Sequence, residues 1–269
     1  MDTRPIGVFD SGIGGITAAK RIMEVLPNEN ILYLGDTLRA PYGSRTVEEI
    51  IEFASQEAAF LASLDVKAMV IACNTICIYT HKILQERYDM PIYEVLGASA
   101  EAALASTKNK KIGVAATAAT IKSDAYAETV KRFDPSAEVF SAACPRFVPL
   151  VESGKVSADD PEAFLAASEY ITPLCEAGID TLILGCTHYP LLSDVISRVT
   201  GPDVALINSG AEVIARVEED LRKNNMLNES GEKGSAKFFV TGDVKQFEET
   251  ASIFLGQDIT GLVEKCVLG

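Results

Sequence analysis

The sequence predicts an α/β fold: two similar α/β domains with mainly parallel sheets, related by a pseudo-twofold axis, with the active site between them. Three observations predict it. Short apolar runs alternate with helical stretches, the pattern of parallel sheets covered by helices. The run Lys111-Ile112-Gly113-Val114-Ala115 echoes Pro5-Ile6-Gly7-Val8-Phe9. An apolar strand that ends in a cysteine, closely followed by a threonine, occurs twice, at residues 70–75 and 182–187.

Residues 6–10 read as a first buried strand ending in Asp10. Ser11-Gly12-Ile13-Gly14-Gly15 is a glycine-rich turn into a helix over 16–26, and exposed N–H groups at such a turn suit an anion. Residues 31–35 are a second strand. Residues 36–45 are a polar loop whose path is set by Pro41 and Gly43. Thr46 caps a helix running to residue 64, with Glu49 in the capping-box position. Residues 68–72 lead to Cys73, a helix spans 75–87, and 91–95 form a short strand. His81 is placed on the outer, solvated half of its helix.

At residues 108–111 the chain turns polar and the order restarts. Strand 111–115 is followed by threonines up to Thr120, a helix over 123–133 and a strand over 138–142. Residues 144–154 read as a loop entering a turn. A helix over 161–177 leads to the strand that carries Cys186. Strand 204–208, a helix over 211–223, an exposed loop over 224–235 and a last clear strand at 237–241 complete the chain. The repeated order reads as an internal duplication. It places the domain boundaries at residues 1–97 plus 209–269 for the first domain and 98–208 for the second.

The chain has 269 residues, enough for two domains of ordinary size. No apolar run approaches the roughly 20 residues of a membrane helix, and the N-terminus lacks a signal-peptide apolar region. A cytoplasmic protein with no membrane association is expected. The net charge of −14 argues against a basic nucleic-acid-binding face. Six cysteines in a cytosolic chain do not read as a disulfide framework. There is no Cys-x-x-Cys motif and only His81 and His188 are available, so no metal site is expected.

In open α/β sheets, ligands bind beyond the carboxyl ends of the strands. Cys73 and Cys186 both stand there, and a thiol on each side of a small substrate suits removal of a proton from one face of a carbon and its return to the other. A thiolate serves as base if its pKa falls from the free value of about 8.5. Asn74 and Thr75 beside Cys73, and Thr187 and His188 beside Cys186, supply amide, hydroxyl and backbone N–H groups for carboxylates. Asp10 and His188 can exchange protons with the two thiols. No lysine context suggests pyridoxal phosphate, so no cofactor is expected. Against this stands the plainer reading of a cysteine as a small buried hydrophobe, which the paired contexts outweigh. Cys77, Cys144, Cys175 and Cys266 have no comparable polar neighbours and read as structural. Glu152, read alone, is a solvated carboxylate.

These motifs resemble the bacterial glutamate racemases. The resemblance rests on residues 10–15, Asp36 with Pro41-Tyr42-Gly43, Ala72-Cys73-Asn74-Thr75, Cys144-Pro145 through Val151-Glu152-Ser153-Gly154, and above all Gly185-Cys186-Thr187-His188-Tyr189-Pro190. It runs from about residue 6 to residue 208 and implies cofactor-independent interconversion of L-glutamate and D-glutamate for peptidoglycan, in a homodimer. It implies that Cys73 takes the α-proton of the D-isomer and Cys186 that of the L-isomer. Asp10, His188 and Glu152 would be further acid/base residues. Asp10, Ser11, Pro41, Tyr42, Gly43, Asn74, Thr75, Thr120, Thr187 and His188 would contact the substrate. Ile76, Cys77, Ala116 and Ala119 depart from the family's usual residues. With no N-terminal extension of the kind linked to activation by a cell-wall precursor, no such activation is expected. Three other readings compete. Racemisation of aspartate would show in a substrate panel, a gyrase-binding role is specified by nothing in the sequence, and dinucleotide binding lacks the third glycine, where Thr17 stands.

Overall fold

The structure is a computed structural model that describes residues 1–269. It comprises two compact units, Met1–Val95 with Val213–Gly269, and Leu96–Glu212. In the first, β1 (Ile6–Asp10), α1 (Ile16–Val25), β2 (Ile31–Gly35), α2 (Val47–Ser63), β3 (Ala68–Ile71), α3 (Asn74–Arg87) and β4 (Ile92–Glu94) follow one another. Helix α4 (Val95–Ser106) carries the chain into the second unit. There β5 (Lys111–Ala116), α5 (Ala118–Lys122), α6 (Ala125–Phe133), β6 (Glu138–Ala143), α7 (Phe147–Glu152), α8 (Pro161–Glu176), β7 (Thr181–Gly185), α9 (Ser193–Thr200) and β8 (Ala205–Asn208) are laid down. Helix α10 (Ser209–Lys223) returns the chain, and β9 (Ala236–Val240), α11 (Val244–Leu255) and β10 (Val263–Lys265) complete the first unit.

Both sheets are wholly parallel. The first has six strands in the order β10-β9-β2-β1-β3-β4, and the second has four in the order β6-β5-β7-β8. The central strands β1, β3 and β7 are buried at every residue. A parallel strand covered on both faces must be apolar throughout, which is why these runs do not alternate. The order β2-β1-β3-β4 recurs as β6-β5-β7-β8, so the two sheets share one strand order. In each sheet the chain goes to one side of the first strand and then crosses to the other. That reversal opens a crevice at the carboxyl ends of β1 and β3, and another at those of β5 and β7.

Local chemistry fixes several ends. Thr46 and Glu49 form the reciprocal capping box of α2, with Glu49 N–H to Thr46 Oγ1 at 3.2 Å and Thr46 N–H to Glu49 Oε2 at 2.9 Å. Asp160 caps α8, with Pro161 at its first position. Gly35 lets the loop after β1 lie directly on the end of β2, since a Cβ there would sit 2.3 Å from Gly12 O. The Tyr33 hydroxyl then donates to that same carbonyl at 2.8 Å.

Four expectations are corrected. Residues 144–154 are not all loop: α7 forms there, and Pro149 is tolerated in its first turn, where the N–H groups lack helical acceptors anyway. The strand at 237–241 is not the last, because β10 pairs with β9 at the sheet edge. His81 is half-buried rather than solvated, its Nε2 being 3.1 Å from Ile92 O. Cys77 does have a polar neighbour, its thiol donating to Glu94 Oε2 at 2.8 Å. No helix is long and apolar enough to cross a membrane.

Candidate active site

In the first unit, β1 delivers Asp10 and β3 delivers Cys73 to the same edge. Asp10 is 1% exposed, and its Oδ1 accepts the Gly12 N–H at 2.9 Å, which folds the turn back over the strand end. Ser11 then presents its hydroxyl 3.4 Å from Cys73 Sγ. Gly15 permits this packing, since a Cβ there would lie 2.6 Å from Asp10 Cβ. Cys73 is 8% exposed and occupies the N-cap of α3. Unsatisfied N–H groups and the helix dipole favour a thiolate there. Asn74 and Thr75 are buried in the first turn of that helix.

The segment 36–45 follows β2. Pro41 and Gly43 are exposed, while Tyr42 is buried with its phenol turned into the protein. That phenol meets the Asp36 carboxylate and Glu57 Oε2, the latter at 3.2 Å. What Tyr42 offers a ligand is therefore its backbone. Burial, with the Asp36 carboxylate beside it, pushes the Tyr42 phenol far up, so it stays a donor.

In the second unit, β5 ends beside Thr117, which caps α5 by accepting the Thr120 N–H at 3.3 Å and donates to Thr120 Oγ1 at 3.1 Å. Strand β7 delivers Cys186, 7% exposed, followed by the buried Thr187 and His188. His188 Nδ1 lies 3.9 Å from Cys186 Sγ, and His188 Nε2 lies 3.1 Å from Glu152 Oε1. A carboxylate accepts only, so Glu152 holds the ring proton on Nε2. Nδ1 is left with its lone pair toward the thiol. The result is a relay from Cys186 to His188 to Glu152, whose side chain is 52% exposed and open to water. Tyr189, fully buried, anchors the segment by donating to Cys144 O at 3.0 Å. Burial pushes the Cys144 thiol well up, so it is inert as a nucleophile.

Each unit thus brings its own expected residues together: Asp10, Ser11, Cys73, Asn74 and Thr75 in one, Glu152, Cys186, Thr187 and His188 in the other. Glu152 joins through its histidine, a contact between α7 and the turn after β7 that no spacing reveals. Sequence reasoning missed Glu57. It stands on the buried face of α2 with Ile50, Ala54, Ala58 and Leu61, and an acid on an apolar helical stripe was the available signal. No group of three or more His, Cys, Asp or Glu side chains is placed to hold a metal ion.

The family model for Asp/Glu/Hydantoin racemases matches residues 17–217. The glutamate racemase of Thermoanaerobacter pseudethanolicus is 46% identical over 263 residues, 98% of this chain and 97% of that one. The crystal structure of a glutamate racemase isoform from Bacillus anthracis is similar with a TM-score of 0.94 at 38% identity, covering 100% of this chain and 99% of that one. That of the glutamate racemase from Francisella tularensis, in complex with D-glutamate, has a TM-score of 0.90 at 39% identity, covering 99% and 98%.

Proposed function

The chain belongs to the Asp/Glu/Hydantoin racemase family of amino-acid racemases, and we propose that it interconverts L-glutamate and D-glutamate without a cofactor, using Cys73 and Cys186 as its two bases. The observation that carries the reading is the matched placement of the two thiols. Each follows the strand at its sheet's reversal point, and each has a polar partner: Ser11 for Cys73 and His188 for Cys186. The choice of glutamate is supported by near full-length relatives that bear that name.

Starting from L-glutamate, His188 Nδ1 takes the Cys186 proton, and the imidazolium is stabilised by Glu152 through Nε2–H. The thiolate removes the Cα proton and becomes a thiol again. The electron pair of the broken C–H bond remains on Cα, delocalised into the α-carboxylate. Cys73 as a thiol protonates the opposite face, giving D-glutamate and a thiolate at the cap of α3. The reverse reaction begins from that thiolate, with Asp10 and Ser11 as its neighbours. Thr187, Thr120, Asn74, Thr75 and the backbone N–H groups of Tyr42 and Gly43 supply donors for the two substrate carboxylates. The enzyme works as a homodimer in a bacterial cytoplasm and feeds D-glutamate into peptidoglycan.

Exchange in deuterated water, started separately from each isomer, tests this. Wild type should incorporate deuterium at Cα with inversion. Cys73→Ser should wash deuterium only into L-glutamate, without inversion, and Cys186→Ser only into D-glutamate. Absence of exchange with either isomer would remove glutamate as the substrate, and aspartate would be assayed next.

A further inference from the structure

We propose that Glu57 is a positioning residue for the substrate-binding segment 41–43, acting through a hydrogen bond from its carboxylic acid group to the Tyr42 phenol; the link to substrate rests on the glutamate reading above.

The assignment follows from counting protons. Asp36, fully buried, is met by three donors: Arg39 Nε, the Tyr42 hydroxyl, and Thr241 Oγ1 at 2.7 Å. It is the ionised member of the cluster. Tyr42 has one hydroxyl proton, and its contact with Asp36 is the closer of its two. The second contact, Tyr42 Oη to Glu57 Oε2 at 3.2 Å, then requires a proton from Glu57. Glu57 is fully buried and its Oε1 has no hydrogen-bond partner. A carbonyl oxygen survives that far more cheaply than a carboxylate oxygen. Burial first, and then the carboxylates of Asp36 and Asp10, push the Glu57 carboxyl well up, in the same sense.

The consequence lies in the 36–45 segment. Its start is tied to the end of β9, by Leu38 N–H to Thr241 Oγ1 at 3.0 Å and Gly242 N–H to Thr37 Oγ1 at 3.0 Å. Its middle is tied to α2, where Arg39 reaches Gln56 and lies 4.0 Å over the Phe53 ring. Between the exposed Pro41 and Gly43, Tyr42 is the buried anchor; its ring packs on Phe53 of α2 at 5.5 Å, and Glu57 supplies the hydrogen bond that ties its phenol to the same helix. The Glu57 side chain itself reaches no substrate.

The test compares E57Q, which keeps a donor, with E57M, which does not, and adds Y42F and Y42F/E57M. All four are first checked for a cooperative unfolding transition. Amide hydrogen exchange is followed at Tyr42 and Gly43 in the ligand-free protein, and KM and kcat for D-glutamate are measured. E57M should speed exchange at those amides by about tenfold and raise KM similarly with little change in kcat, the effect of losing one ordinary hydrogen bond. E57Q should hold both within about twofold of wild type, and Y42F/E57M should match Y42F because both substitutions break the same contact. Unchanged exchange in E57M, or an E57Q as impaired as E57M, would overturn the assignment. Faster exchange with unchanged KM would overturn its connection to substrate. If wild type fails to turn over glutamate, the functional reading falls and the exchange measurement alone decides the role of Glu57.

Discussion

Replacing Glu57 with glutamine should change stability with a pH dependence that reverses its sign. The native carboxyl is pushed well above its ordinary range by burial, with Asp36 and Asp10 adding to the shift. In the unfolded chain it titrates near the free value of about 4.3. Between those two values the native state keeps a proton that the unfolded state has released, so native stability falls as pH rises, by about 1.4 kcal/mol per pH unit. Glutamine does not titrate and escapes this loss. Its second amide hydrogen is buried without an evident acceptor, which costs about 1–3 kcal/mol at every pH.

E57Q should therefore be less stable than wild type near pH 4.5 and more stable at pH 8. The difference should grow by about 4 kcal/mol across three pH units for as long as Glu57 stays neutral. The groups facing Glu57 are Asp36, Arg39 and Tyr42 in the 36–45 segment, Asp10 at the end of β1, Tyr33 on β2, and Cys266 after β10. All are present in both proteins, and the Cys266 thiol is itself pushed up to about 11, outside the window. Urea unfolding of both proteins at fixed ionic strength, in half-unit steps from pH 4.5 to 8.5, gives the difference directly. A difference that stays flat would mean that Glu57 is ionised in the native state, and the proton count around Tyr42 would be wrong.

Other perturbations have distinct signatures. His188→Asn removes the acceptor for the Cys186 proton and should slow α-proton removal from L-glutamate by about 10²-fold or more; washout rates started from L-glutamate check this, and a change under threefold would sink the relay. Glu152→Gln keeps a hydrogen-bonding group but loses the charge that stabilises the imidazolium, so it should cost less than His188→Asn in the same assay, and a larger loss would give Glu152 a direct role. Lys67→Met strands the Glu29 carboxylate, now 2.6 Å from Lys67 Nζ with both side chains buried, and should cost about 3–5 kcal/mol in urea unfolding. Adding Glu29→Gln should return part of that, and no recovery would show that the lysine acts through its bonds to Asp2 O and Met226 O instead. Gly35→Ala must push Gly12 away and should cost about 1–3 kcal/mol together with most of the activity; full activity would show that the loop after β1 tolerates displacement.

How much of this was legible depended on whether a segment's signal is local. The strands at residues 6–10, 68–71 and 181–185 are short apolar runs because both faces are covered, and they stand out in any sequence with that constraint. The residues that follow β1, β3 and β7 were equally legible, since small and polar side chains directly after an apolar run mark the rim of a parallel sheet. Helix α4 escaped notice because its alanine-rich composition draws no stripe. Strand β10 did so because two of its three residues are exposed. Helix α11 was legible and was not read: Phe247, Ala251, Phe254 and Leu255 lie on one buried face. The site divides the same way. Cys186 and His188 are two residues apart, but Glu152 reaches the histidine only because α7 forms where the sequence reads as a loop. Glu94 reaches Cys77 only through the placement of β4 against α3. Glu57 lies between these cases. Its position on the apolar stripe of α2 was readable, yet its partner Tyr42 belongs to a loop that carries no period. A buried acid on a helix was thus a question the sequence could pose, and the fold of residues 36–45 answers it by supplying a phenol whose only proton is already committed to Asp36.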